Sequence, residues 1–516
     1  MPPAMAHAAH APIAALSGYT RRQPEETLLH RTLSKHWPAF VRRAEEHGGL
    51  PDFVVREVED YLTCGILEHG CVVTRCRDCG HERVVGLSCK HRGWCPSCCG
   101  RRMADSAAHL SDSVLPEVPI RQWVVTLPWQ VRALVGYDRR LCAAVFDASA
   151  KELMALQKRR AKRYLGLGSV SEAHTGTVTF VQRFDSALRL DPHGHVLTPD
   201  GVWVRGDEGG LEFHALTEPT LAEVAELAER TAARLERVFE AHGKSFEEPC
   251  DDSEQLWLEH PALASCYQAA TAGRQLLSEH PGAPVLRVMG PLPRGKGAAR
   301  PALVAEARGV NVHAERVVDG RDRAQLERLC RYLARPPLSH DRLSELPDGR
   351  LRLAFKKPWR DGTEAVVLTP MDLIARLCAL TPPPRMHLTR FHGVFAPAAK
   401  LRPDIVPRRT HDPELDPPQQ LSLFDPTGHR PAPPAQTEPT PSPAGRHPWA
   451  WLLRRVFAVD LTVCDRCAGR VRTVEVAITH DAIARVLARH GLGPQPPPVP
   501  QRPLPGQLRL PGVPVH

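Results

Sequence analysis

Eight of the 15 cysteines fall between Cys64 and Cys99, and this crowding constrains the fold more than any other feature. Cys76-Arg77-Asp78-Cys79 and Cys95-Pro96-Ser97-Cys98 are CxxC knuckles with fifteen residues between them. In a reducing compartment such a cluster reads as metal ligands rather than disulfides. Two thiolates three positions apart wrap one tetrahedral ion from a tight turn, and two such turns close its shell. The spacing predicts a structural zinc on Cys76, Cys79, Cys95 and Cys98 that folds the region and leaves no open position for catalysis. Cys64, Cys71, Cys89, His91 and Cys99 either build a second site or pack as small side chains. Cys464-Asp465-Arg466-Cys467 supplies half a site, as a remnant, with distant partners, or across a dimer. Lys90, Arg92, Arg101 and Arg102 crowd the knuckles, as a face for phosphates or as ordinary solvated charge.

The chain of 516 residues carries 51 prolines, too many for one compact body, and a net charge of +9 that leans toward a polyanion. No apolar run is long enough to cross a bilayer, and Met1–Ala15 lacks a signal peptide's pattern, which predicts a cytoplasmic protein. Composition divides the chain into an arm (1–25), a cysteine-rich domain (26–115), a mixed strand and helix domain (116–406), a proline-rich linker (407–448), a short ordered segment (449–490) and a proline-rich tail (491–516). Strands are expected at Gln122–Leu127, Gly176–Phe184, Ala187–Leu197, Val285–Met289 and Leu351–Phe355. Helices are expected at Glu26–Leu62, Met103–Leu110, Leu141–Leu165, Leu221–His242 and Asp322–Ala334. The mixture points to an α+β domain on a largely antiparallel sheet.

His193 and His195 lie in a strand that stops at Pro199-Asp200-Gly201. Side chains two apart share a strand face, so both imidazoles reach one divalent ion. Gln182, on the neighbouring strand, is the candidate third ligand. In the helix before Pro336, Tyr332 sits at the edge of the apolar stripe, with Arg328 and Arg335 beside it and Arg331 preceding it. A phenol rooted in a core edge among guanidinium groups suits a phosphodiester, although a tyrosine there also simply packs.

The succession of the Ser88–Cys98 cluster, Gln182-Arg183-Phe184, His193-Gly194-His195-Val196-Leu197, Arg331-Tyr332-Leu333-Ala334-Arg335-Pro336-Pro337 and Arg390–Pro397 resembles the HUH-type transposases of the IS91 group. The resemblance implies a zinc-binding DNA-recognition domain followed by a rolling-circle endonuclease domain. It implies Mg²⁺ or Mn²⁺ on His193 and His195, and attack by Tyr332 on single-stranded DNA at element ends and target, in the bacterial nucleoid. Some members carry two tyrosines four apart; here those positions hold Arg328 and Pro336, so this is a single-tyrosine member. A replication initiator or relaxase uses the same chemistry, and a non-catalytic zinc-dependent DNA-binding protein is the alternative of another class.

Weaker clusters remain. Lys356, Lys357, Trp359 and Arg360 either stack single-stranded bases or pack in a hairpin. His387 and His392 have no evident partner. Gln420-Leu421-Ser422-Leu423-Phe424, in the linker, is similar to peptides that dock on the replication sliding clamp, with Leu421, Leu423 and Phe424 as its apolar anchors.

Overall fold

A computed structural model describes residues 22–246, 253–291, 303–407 and 462–492. The clamp-like peptide Gln420–Phe424 lies outside them, as do residues 1–21, most of the linker and the tail.

The expected helical stretch at the start is two helices, α1 (Leu28–Glu45) and α2 (Asp52–Thr63), broken at Gly48-Gly49 and Pro51. A hairpin of β1 (Cys71–Cys76) and β2 (Glu82–Gly86) follows, then α3 (Pro96–Ser113), which opens at the second knuckle with Pro96 in its first turn. This region is not a separate bead. Leu29, Trp37, Val58, Trp94 and Cys95 share one core with Leu263, Leu351, Leu373 and Leu377, and Trp94 Nε1 donates to Thr381 Oγ1 at 3.2 Å. The C-terminal segment is not separate either. Strand β15 (Val471–Ala477) pairs antiparallel with β1, and α12 (His480–Arg489) packs Ile483, Val486 and Leu487 against Cys71 and Val73.

The central sheet has six strands in the order β14-β4-β5-β3-β10-β9, every neighbouring pair antiparallel. These are β3 (Ile120–Thr126), β4 (Gly176–Phe184), β5 (Leu190–Pro199), β9 (Leu303–Ala307), β10 (Val310–Val318) and β14 (Thr389–Gly393). α4 (Arg132–Tyr137) and α5 (Arg139–Leu165) connect β3 to β4, and α6 (Leu221–Ala241) lies beside α5. Asp138 caps α5 by accepting from Arg140 N and Leu141 N; Thr220 and Glu223 form a capping box at α6. α5 and α6 cover one face through Phe146, Leu153, Leu227 and Leu235 against Trp123, Val181 and Val196. α3 and α9 (Arg323–Leu333) cover part of the other through Leu110, Leu326, Cys330 and Leu333 against Val178, Phe180 and Leu197.

A second sheet has the order β11-β12-β13-β8, from β8 (Leu286–Met289), β11 (Leu343–Glu345), β12 (Leu351–Ala354) and β13 (Thr363–Leu368). α7 (Ser253–Glu259), α8 (Pro261–Ala272) and α10 (Pro370–Leu380) lie around it, β6 (Gly201–Arg205) and β7 (Leu211–Ala215) form a hairpin, and α11 (Arg402–Ile405) closes the domain. The architecture is the α+β class the sequence implied. Among the described residues no helix is long and apolar enough to cross a membrane.

Candidate active site and metal centres

β5 runs through the middle of the central sheet, so both imidazoles rise from a strand paired on both sides. Gln182 on β4 and Thr126 on β3 lie opposite His193; Phe180 and Val124 lie opposite His195. Directly opposed residues share a face, so His193, His195 and Gln182 stand on the same side. Gly194, between the histidines, faces the other way. A Cβ there would lie 2.9 Å from Phe146 Cδ1, so the glycine lets α5 press against the strand behind the pair.

The rings are 5.0 Å apart at 69°. His193 Nδ1 lies 2.7 Å from the Asp191 carbonyl, and donation there leaves Nε2 free to bind a metal. His195 Nδ1 lies 3.0 Å from the Gln122 amide, which orients that ring. His195 is buried, and burial, reinforced by His193 and Arg335, lowers its pKa to about 3; it stays neutral, the ligand form, at physiological pH. Gln182 is buried. Its Nε2 donates to Leu333 O at 2.8 Å, while its Oε1 has no hydrogen-bond partner. An orphaned buried acceptor costs about 1–3 kcal/mol. A cation held by the two imidazoles would relieve it, and the donor set N, N, O suits a divalent metal ion without selecting which one.

Tyr332 stands on the last turn of α9. Asp322 caps the start of that helix by accepting from Gln325 N, Leu326 and Leu333 anchor it, and Pro336 prevents its continuation. The Tyr332 ring is 6.4 Å from the His195 ring at 74°, on the same face of the sheet, and is 43% exposed. Arg335 stacks its guanidinium 4.4 Å from the phenol centroid. Arg331 pairs with Glu327 one turn back, whereas Arg328 is exposed. A cavity of about 360 Å³ lies beside this site, between α3 and the end of α9, lined among others by Arg92, Arg102, His109, Gln182, Arg335 and His387. Arg102 also donates to the carbonyls of Lys90 and His91, which ties the knuckle loop to α3; Lys90 is exposed and Arg101 half-buried.

The cysteines assemble differently from the expected pairing. Cys76 and Cys79 do not meet Cys95 and Cys98. Cys64, Cys89, Cys95 and Cys98 form one tetrad, and Cys76, Cys79, Cys464 and Cys467 form another. In the first, Sγ separations are 3.8 Å for Cys64–Cys98, 3.4 Å for Cys89–Cys98 and 3.8 Å for Cys95–Cys64. In the second they are 3.5 Å for Cys76–Cys467 and 3.6 Å for Cys79–Cys464. Thiolates at the corners of a tetrahedron with Zn–S of about 2.3 Å stand about 3.8 Å apart, so both tetrads suit zinc. The Cys79 backbone amide favours the thiolate form of Cys76. Cys71 and His91 are not ligands in either set. Cys71 is in the small core under α12. His91 sits between Glu57 Oε2, 3.0 Å from its Nδ1, and Asp60 Oδ2, 2.5 Å from its Nε2; Asp60 and Glu57 raise it to about 10.

Three functional contacts escaped the sequence reading. Gln122 orients His195; its signal was an amide beside the apolar run Trp123-Val124-Val125. Arg22, placed in the arm, donates to Cys64 O at 2.9 Å and ties the chain to the first tetrad. His392 does have a partner: it and Arg390 bind Asp147 on α5, His392 at 2.8 Å and Arg390 at 2.6 and 2.7 Å, which pins edge strand β14 to the helix behind the histidine pair. Nothing in the α5 sequence marked Asp147.

The fold and both kinds of centre define a zinc-binding module joined to an α+β domain with a histidine pair. Residues 32–127 match the family described as transposase zinc-binding domain, and residues 176–402 match that described as putative transposase. The two matches lie side by side, a transposase-type zinc-binding region followed by a region similar to putative transposases. A transposase for insertion sequence element IS801 from Pseudomonas savastanoi pv. phaseolicola is 31% identical over 172 residues, 33% of this chain and 39% of that relative. No solved structure matches the chain.

Proposed function

We propose that this chain is a DNA strand transferase that cuts single-stranded DNA through a 5′-phosphotyrosine. What carries the reading is one juxtaposition: the Tyr332 ring 6.4 Å from the His195 ring, on the sheet face that also holds His193 and Gln182. His193, His195 and Gln182 would hold Mg²⁺ or Mn²⁺, which when bound polarises the scissile phosphate. Tyr332 Oη attacks phosphorus, loses its proton, and forms the O–P bond as the P–O3′ bond breaks. The leaving 3′ oxygen takes up a proton, so the products are a 5′-phosphotyrosine and a free 3′-hydroxyl. Phosphodiester energy is retained, and rejoining by another 3′-hydroxyl reverses the same bonds without ATP. Arg335, stacked on the phenol, positions the nucleophile and sets a cation beside the incoming phosphate.

The basic cavity running from Arg92 and Arg102 to Arg335 suits a strand that passes from the zinc module to the nucleophile. With one tyrosine, each cut consumes the nucleophile, and strand exchange is completed by the released 3′-hydroxyl or by a second copy. A labelled single-stranded oligonucleotide of the element end, incubated with Mg²⁺ and resolved on a denaturing gel, tests this. The expected result is a protein–DNA adduct that Tyr332→Phe abolishes. An adduct retained by that variant removes Tyr332 from the role.

A further inference from the structure

Away from the nucleophile, a second cavity of about 210 Å³ opens where the β4–β5 turn meets the second sheet. Four guanidinium groups, those of Arg189, Arg274, Arg287 and Arg376, line it around the Trp359 indole, and no acidic side chain lines it. Two of them are balanced nearby, Arg189 by Asp185 at 2.6 Å and Arg287 by Asp361 at 3.1 Å. Arg376 is 3% exposed; it donates to three backbone carbonyls, those of Ala187, Leu188 and Arg274, each at 3.4 Å, its Nε has no hydrogen-bond partner, and no carboxylate forms an ion pair with it. Burial lowers its pKa to about 10, against the opposing charges of Asp185 and Asp372 nearby. A buried guanidinium without a carboxylate against it is costly unless an anion completes it. Arg189 and Arg287 also lie over Trp359, at 5.1 and 5.5 Å from its centroid, and Phe355 backs that ring at 4.9 Å. The indole therefore holds two cations in place at the mouth.

Resting on the nuclease reading above, we infer that this cavity is a second anchor for the DNA strand, seating one phosphodiester on Arg376, Arg274 and Arg287 while the next segment reaches Tyr332. The cavity begins at Arg189, four residues before His193 on the same run of chain. At about 3.3 Å per residue that is roughly 13 Å, or about four stacked nucleotides. Arginines flank the path between them, with Asp185 and Asp191 engaged by Arg189 and Arg132. Arg342 donates to Ser186 O within the turn, and Arg335 lies close enough to lower the Arg342 pKa in addition to burial.

The test is fluorescence anisotropy of a labelled single-stranded DNA of about 20 nucleotides, without divalent ions and in a Tyr332→Phe background, so that no cleavage enters the measurement. Arg287→Gln and Arg274→Gln, both exposed positions whose folding is checked by circular dichroism, should each weaken binding about five- to tenfold and lower the salt slope by about one. Unchanged affinity and slope in the double variant would overturn the assignment. So would an Arg287-dependent response to inorganic phosphate alone with oligonucleotide affinity unaltered, which would make the cavity a small-anion site. Loss of nicking in wild type with binding intact refutes the nuclease reading and leaves this one standing.

Discussion

The C-terminal tetrad gives the sharpest test, because it joins residues 385 positions apart into one centre. Replacing Cys464 and Cys467 together by alanine removes half the ligands of Cys76 and Cys79 and leaves Cys64, Cys89, Cys95 and Cys98 whole. Between Pro407, at the end of the main body, and Cys464 the chain closes a loop of about 55 residues, whose closure entropy is about 4 kcal/mol at 25 °C. The metal offsets that cost. Without it the segment keeps the ladder to β1, the contacts of Ala477, Ile483, Val486 and Leu487, the hydrogen bond of Arg77 N to Arg470 O and the ion pairs of Arg83 with Asp465 and of Arg489 with Glu82, and these hold it less firmly than a closed metal shell. Purified wild type should contain two zinc ions per chain by atomic absorption, and the double variant one. Hydrogen exchange should rise at least tenfold across Val471–Ala477 and in β1, with α1, α2 and the central sheet unchanged. Cys95→Ala with Cys98→Ala should also leave one ion, but should loosen α2 and the start of α3 instead. If removing Cys464 and Cys467 leaves two ions bound, or if removing Cys95 and Cys98 mobilises β15, the two-tetrad arrangement is wrong.

Three further outcomes follow from individual contacts. Gln182→Ala deletes the proposed oxygen ligand and should weaken Mn²⁺ binding about 10- to 100-fold in titration calorimetry while single-stranded DNA affinity stays within twofold. His91 has a folded pKa of about 10, above its usual 6.5, so its contribution is complete below pH 6.5 and drains away as pH rises through 10; His91→Gln should cost about 1–3 kcal/mol at pH 7 and flatten the alkaline limb of a denaturation profile. Asp147 is held near 2 against its usual 3.8, where hydrogen bonds from His392 and Arg390 outweigh the burial that opposes them, so its stabilisation is present above 3.8 and lost as pH falls through 2; Asp147→Asn should lower stability by about 1 kcal/mol after allowing for partial exposure, read as a drop of a few degrees in Tm.

What was legible from the sequence was whatever a short periodicity carries. The even spacing of His193 and His195 set both on one face, and the stripe of Leu326, Leu329, Cys330 and Leu333 placed Tyr332 at its edge; the distance between the two depends on how α9 crosses the sheet, which no local pattern encodes. The α+β class was readable from the same alternation, and the helix bounds near Leu141–Leu165 and Asp322–Ala334 fell within two residues of α5 and α9. How the cysteine-rich domain packs on the rest of the chain was not legible, because the apolar positions of α1 show only that a face is buried, and that face meets α10 and β11.

The cysteine pairing is the instructive case. A CxxC knuckle supplies two ligands to whichever partner arrives, and proximity favoured Cys95 and Cys98, fifteen residues on. But closure entropy grows only with the logarithm of length. Lengthening the loop from fifteen to 385 residues adds about 3 kcal/mol for a free chain. Much of that is absorbed once the intervening domain has folded, because the free loop is then only the chain after Pro407. The β1–β15 ladder of Cys71–Ala477 through Cys76–Val471 then delivers the distant knuckle in register, with Cys464 already turned back onto Gly469. The nearer knuckle is meanwhile drawn away, because Trp94 is buried beside α10 and carries Cys95 to the far side of the hairpin, where Cys64 waits at the end of α2. Sequence separation is thus a poor guide to which half-sites join; the element that carries each knuckle, strand β1 for one and helix α3 for the other, decides it.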